Sequence, residues 1–113
     1  MKEIKAFIKP KKVQIIVEAL RDVGFKSVTL SKGEGTGTHK NKDASPSLDF
    51  YFTDSPVVKL ELVCQNEEMD KAVQLICGKA QTSEPGDGII YVSEIEDAFR
   101  IKTGKSIKRG RKW

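Results

Sequence analysis

Between Glu3 and Ile8 polar and apolar residues alternate, with Ile4, Ala6 and Ile8 on one side, the period of a half-buried strand ended by Pro10. The period then changes. From Lys11 to Val23 the apolar residues Val13, Ile16, Val17 and Leu20 recur at helical spacing, and Gly24 stands where helices commonly stop in a left-handed conformation. A second strand is expected over Ser27–Ser31, with Val28 and Leu30 facing together. Val57 to Cys64 returns to alternation, with Val58, Leu60, Leu62 and Cys64 set against Lys59 and Glu61. Asn66 is suited to cap a following helix whose apolar face is Met69, Val73, Leu75 and Ile76, running to about Ala80. A turn from Gln81 to Gly88 leads to a fourth strand at Ile89–Ser93, then one helical turn at Ile95–Phe99 and a basic extension.

The order is β-α-β, a long connection, β-α-β. Two such units sharing one antiparallel sheet predict an α+β, ferredoxin-like double βαβ sandwich. Both helices then cover one face and leave the other free to pack on neighbouring copies, as in a homotrimer. The stretch from Lys32 to Pro56 has little periodicity and holds Gly33, Gly35, Gly37, Asn41, Ser45, Pro46 and Ser47. Connections this long inside compact domains are usually functional or disordered.

Composition narrows the class. With 113 residues, 38% hydrophobic and 32% charged, the chain fits one ordinary globular domain, and oligomerisation would help so small a core. No apolar run reaches the roughly 18 residues of a membrane span, and the first residues lack the apolar core of a signal peptide, so a cytoplasmic location is expected. Cys64 and Cys77 lie in apolar patterns without metal-ligand spacing and are expected to be buried thiols. The net charge of +4 is unevenly spread: residues 100–113 carry seven basic residues and no acid, leaving −3 on the rest. Such an end suits nucleotide phosphates, nucleic acid or an anionic membrane surface, unless it is simply a solvated tail.

Catalysis finds little support. His39 is the single histidine, placed in the long connection, and nothing fixes an orienting group beside it for nucleophilic or metal chemistry. The glycine segments say more. Gly33-Glu34-Gly35-Thr36-Gly37 follows a strand, and Gly86-Asp87-Gly88 precedes one. Glycines there let backbone N–H groups approach an anion. Arg100 and Lys102 would share one face if that segment were extended, and with the loops would enclose a polyphosphate.

Several segments together resemble the PII signal-transduction family over residues 1–104: the opening Met1 to Pro10, Glu18-Ala19-Leu20 to Val23-Gly24, Gly35-Thr36-Gly37, Lys59 to Val63, and above all Ala80-Gln81-Thr82-Ser83-Glu84-Pro85-Gly86-Asp87-Gly88 through Arg100-Ile101-Lys102-Thr103-Gly104. The resemblance implies a regulator rather than an enzyme: a homotrimer that binds adenine nucleotide in clefts between subunits and needs no cofactor. By matching positions, Thr29, Gly35, Gly37, Thr38, Glu61 and Val63 would surround the adenosine and the loop base. Thr82, Gly86, Asp87 and Gly88 would form the phosphate loop, with Arg100 and Lys102 adding charge near a subunit boundary. Residues 37–55 correspond to the family's T-loop, in which Lys40, Lys42, Phe50 and Tyr51 would meet a target protein, such as a membrane transporter or a metabolic enzyme. Residues 105–113 form a separate basic tail.

Departures from the family pattern refine these expectations. Thr38 and His39 stand where the family usually has arginine and glutamine, Val57 replaces a lysine that contacts 2-oxoglutarate, and Ile89 replaces a phosphate-binding lysine. The losses argue against strong sensing of magnesium-ATP and 2-oxoglutarate and favour ADP, AMP or another adenine nucleotide. Phe50 matches the tyrosine uridylylated in enteric members and has no hydroxyl to modify. The competing classes are a nucleic-acid module using the basic tail, disfavoured because Tyr91 and Phe99 are isolated aromatics, and a weak nucleotide hydrolase using Asp87 or His39.

Overall fold

The computed structural model describes residues 1–36, 45–46 and 53–108. Strand β1 (Lys2–Ile8) passes through a 3-10 turn at Pro10–Lys12 into helix α1 (Val13–Asp22). Then come β2 (Thr29–Thr36), a two-residue β3 (Ser45–Pro46) and the long β4 (Thr53–Cys64). A 3-10 turn at Asn66–Glu68 opens α2 (Met69–Ala80), and β5 (Gly88–Glu94) follows. The sheet runs β2-β4-β1-β5 with antiparallel pairing throughout, and β3 pairs with β4. This is the interleaved order of a ferredoxin-like α+β fold, as the alternating pattern predicts.

The strand periodicity decides the layers. Ile4, Ala6 and Ile8 of β1 and Leu60, Leu62 and Cys64 of β4 are buried together against Ile16 and Leu20 of α1 and Ala72, Ile76 and Ala80 of α2. Met69, Val73 and Leu75 are only partly buried, so the deep contact of α2 is made by the smaller Ala72 and Ala80 on either side of Ile76. Gly24 closes α1 as expected: at φ +103° its N–H donates to the Arg21 carbonyl at 3.0 Å, and Phe25 N–H reaches back to Leu20 at 2.9 Å, which carries the Phe25 ring into the core. Cys64 is buried, and desolvation followed by the Glu68 charge pushes its thiol above the ordinary cysteine value, whereas Cys77 is half-buried.

Five elements depart from the periodicity, among them β4, which begins at Thr53, four residues before the expected Val57. β2 starts two residues later than Ser27 and runs five residues past Ser31, because Gly33 and Gly35 take extended backbone and pair with Val57 and Ser55 of β4. The first glycine segment is therefore ladder and not loop as far as Thr36. α1 begins at Val13, the residues before it being wound as the tighter 3-10 turn that Pro10 opens. Gln65, not Asn66, precedes the turn into α2: its N–H donates to Glu68 Oε1 at 3.2 Å, while Asn66 Oδ1 accepts from the Met1 amino group at 2.8 Å. The helical turn at Ile95–Phe99 is absent. There the Asp97 carboxylate accepts from Ala98 N–H and from the Ser106 hydroxyl, both at 2.7 Å, and Phe99 pairs with Ser106.

The opposite sheet face carries Phe7, Ile89, Tyr91 and Val63 among Glu3, Lys5, Lys59 and Glu61, and Phe7 and Tyr91 meet edge to face with centroids 5.9 Å apart. Ile89, Tyr91 and Val63 are exposed.

At Gly88, φ is +115° and an added Cβ lies 1.7 Å from the Phe7 carbonyl oxygen, so no side chain fits where β5 joins β1. Gly78, in α2, has nothing within 4 Å of its Cβ position. We expect Gly88→Ala to lower stability by at least about 2 kcal/mol and Gly78→Ala to raise it by about 0.5–1 kcal/mol, read by chemical denaturation.

Candidate functional site

The described residues offer two candidate ligand sites, and they lie apart. The first is an open cleft of 320 Å³ lined by Glu3, Ser27, Val28, Thr29, Glu61, Leu62 and Val63. It arises from register: Thr29 pairs with Glu61, and Val63 pairs with Glu3, so three strands bring these residues to one end of the sheet. Thr29, Glu61 and Val63, expected around an adenosine, do come together here. Glu3, Ser27 and Val28 were not singled out by sequence, although Glu3 shares the strand face of Lys5 and so betrays its outward direction. With two carboxylates and an exposed valine, the cleft suits a flat, donor-bearing base or a ribose and repels phosphate. The Lys59 ammonium stands 3.3 Å from Glu61 Oε1.

The second feature is the loop before β5. The Asp87 carboxylate folds back on Thr82, accepting from its N–H at 2.7 Å and from its hydroxyl, and the Thr82 oxygen accepts from Glu84 N–H at 3.1 Å. Lys9 closes the clip. Its side chain is 6% exposed, its ammonium lies 3.3 Å from Asp87 Oδ1, and it donates to Thr82 Oγ1 at 3.4 Å. Gly86 at φ +86° and Gly88 at φ +115° supply the bends. Asp87 and Thr82 thus brace the loop, and its backbone, rather than the Asp87 carboxylate, is what an anion would meet. A carboxylate held this way by a threonine and a buried lysine is a poor candidate to activate water. Lys9 was missed by sequence reasoning: a lysine ending a strand before Pro10 carries no sign that it turns inward.

Gly88 pairs with Ile8, and Ile8 with Val58, three to five residues along the strands from the Glu61–Val63 end, and β5 lies two strands from β4. At about 3.3 Å per residue and 4.8 Å per strand the loop and the cleft are about 15 Å apart in one protomer. Gly35 pairs with Ser55 beyond the loop's row, where its Cβ position lies 3.2 Å from Val57. Arg100 and Lys102 sit elsewhere again. Their segment is not extended: Gly104 N–H donates to the Arg100 carbonyl at 2.7 Å and Arg100 N–H to Lys105 at 3.0 Å, so the chain reverses into a hairpin beyond β5 on which both cations are exposed. Gly37, Thr38, Lys40, Lys42, Phe50 and Tyr51 lie outside the described residues. Among the described residues no cluster of three metal-ligating side chains occurs.

The model of the family described as nitrogen regulatory protein P-II matches residues 1–105. The chain belongs to this family. It is 40% identical over 111 residues to a nitrogen regulatory protein P-II of Bradyrhizobium diazoefficiens, covering 94% of this chain and 96% of that protein. It is 37% identical over 111 residues to the nitrogen regulatory protein P-II of Rhizobium meliloti, with 94% and 96% covered, and 38% identical over 110 residues to that of Rhodospirillum rubrum, with 93% and 95% covered. These P-II relatives are named as regulatory proteins and not as enzymes. A signal-transduction regulator acting through partner proteins is therefore the class of this chain. None of its helices among the described residues is long and apolar enough to cross a membrane.

The Thr82 bonds, chiefly, and Lys9 hold the Asp87 carboxyl below the ordinary aspartate value. A depressed folded-state value stabilises the fold above the unfolded value and is lost as pH falls through the folded one. The loop clip is therefore intact at neutral pH and released in the region below about pH 4. Asp87→Asn should lower stability at pH 7 by about 1–3 kcal/mol, because Lys9 is left buried without its anion, and should flatten the acid limb of the stability curve. Denaturation midpoints from neutral to acid pH check both outcomes.

Proposed function

We propose that this P-II protein is a cytoplasmic homotrimeric sensor of adenine nucleotides whose state is passed to a target protein by the segment between β2 and β4. The observation that carries the reading is the separation of the two ligand-directed features. The cleft of Thr29, Glu61 and Val63 and the braced loop of Gly86, Asp87 and Gly88 are too far apart to hold one nucleotide within a protomer. They combine when the open sheet face, with its exposed Ile89, Tyr91 and Val63, packs on a second copy. One protomer then supplies the base cleft, with Arg100 and Lys102 on the hairpin beyond β5, and its neighbour supplies the loop amides.

Phosphate charge is thinly matched in this arrangement. Lys9 already faces Asp87, Val57 and Ile89 are neutral, and Arg100 and Lys102 remain. The balance favours ADP or AMP over magnesium-ATP and leaves 2-oxoglutarate without a cation beside Val57. The ligand acts on the β2–β4 arm because Gly35 and Thr36, at the root of that arm, continue the strand of Thr29; it shifts the arm only to the extent that it contacts the two arm states differently. A target such as a membrane transporter or metabolic enzyme reads the arm, through Lys40, Lys42, Phe50 and Tyr51.

Calorimetric titration with ATP, ADP and AMP, each with and without magnesium and 2-oxoglutarate, tests the reading, together with a solution mass. A trimer that binds ADP or AMP, with no gain from 2-oxoglutarate, is expected. Arg100→Ala with Lys102→Ala should weaken ADP by about tenfold to a hundredfold and leave adenosine binding nearly unchanged. A monomer, or 2-oxoglutarate synergy with magnesium-ATP, contradicts it.

A further inference from the structure

We propose that the hairpin of residues 98–108 is a docking element for an anionic lipid surface, and that lipid and nucleotide compete for it; the competition, unlike the docking, rests on the nucleotide reading above. The hairpin is an ordered projection. Phe99 bridges to Ser106, Ile107 N–H donates to the Ala98 carbonyl at 2.7 Å, and the Ser106 hydroxyl, on a residue 3% exposed, is clamped by Asp97 at 2.7 Å. Ser106 is turned in, while Phe99, Ile101 and Ile107 are turned out, at 43%, 101% and 45% exposure. Ile101 stands wholly in solvent at the turn, between Arg100 and Lys102.

Single exposed apolar residues need no explanation, but three on one short hairpin, set among Arg100, Lys102, Lys105 and Lys108, match the chemistry of a bilayer interface. No acid occurs from residue 98 onward, and none of these four cations is in an ion pair among the described residues; Lys108 Nζ donates to the Glu96 carbonyl at 3.3 Å. Aliphatic side chains enter between headgroups while the cations meet lipid phosphates. Nucleic acid fits less well, because of the three outward apolar side chains only Phe99 offers a face on which a base stacks. Nucleotide phosphate alone accounts for Arg100 and Lys102 and leaves Ile101, Ile107, Lys105 and Lys108 without a role.

Flotation with vesicles of phosphatidylcholine alone, and of phosphatidylcholine mixed with phosphatidylglycerol, tests docking with the full chain. Binding to the mixed vesicles only, released by salt, is expected. Lys105→Ala and Lys108→Ala should each weaken it about fivefold. Ile101→Ser, which leaves the charge untouched, should weaken it about tenfold with unchanged solution mass and ADP affinity. No flotation with the mixed vesicles, an Ile101→Ser variant that floats like the parent, or binding to random RNA in place of vesicles overturns docking. Saturating ADP should release the protein from vesicles. Retention by a protein that measurably binds ADP overturns the competition, whereas failure to bind ADP at all overturns the nucleotide reading and leaves docking to its own vesicle result.

Discussion

The Asp87 carboxylate, gripped by Thr82 and by the buried Lys9, is the contact on which the geometry of this protein turns. It joins the end of β1 to the loop before β5 and fixes that loop's bends where Gly88 passes against the Phe7 carbonyl. An acid at this place is used for shape. The side chains that brace the loop bond to one another, and two of its backbone N–H groups, those of Thr82 and Glu84, are taken up in the same frame. A ligand site made of amides needs such an inner frame, since amides on a loose loop would lose much of their affinity to ordering.

The second constraint is the sheet order. With β4 between β1 and β2, the residues at the Glu61–Val63 end and those at the Gly88 end sit on different strands and at different heights. On the proposed reading a ligand that bridges them would bridge two chains, which would couple binding to assembly and carry any stiffening of the site to the root of the β2–β4 arm. On the proposed reading, so small a domain would act as a regulator by converting occupancy of a shared cleft into the pose of an arm.

Much of the fold was legible in the residues, and the departures have physical causes. Alternation in β1 and β4 and the helical spacing of α1 identified the core faces because burial there is one-sided. Thr29, Glu61 and Val63 were placed by resemblance and meet in one cleft. Composition misled at Gly33 and Gly35, since glycine in a ladder looks like glycine in a loop until the partner strand is known. Arg100 and Lys102 were expected on an extended segment, which the Asp97–Ser106 bond turns into a hairpin. A contact nine residues apart leaves no periodic trace. Lys9 was missed for the same reason: its partner lies in a different part of the chain.

The central claim is that one binding site is divided between two copies of the chain, and complementation tests it most directly. Glu61→Lys disables the base cleft, and Gly86→Val disables the loop. Neither variant alone should bind ADP. Refolded together in equal amounts, they should recover binding at about a quarter of the sites, those pairing an intact cleft with an intact loop across an interface. No recovery in mixed assemblies of confirmed composition would contradict the account, because it would mean that both halves serve the same chain.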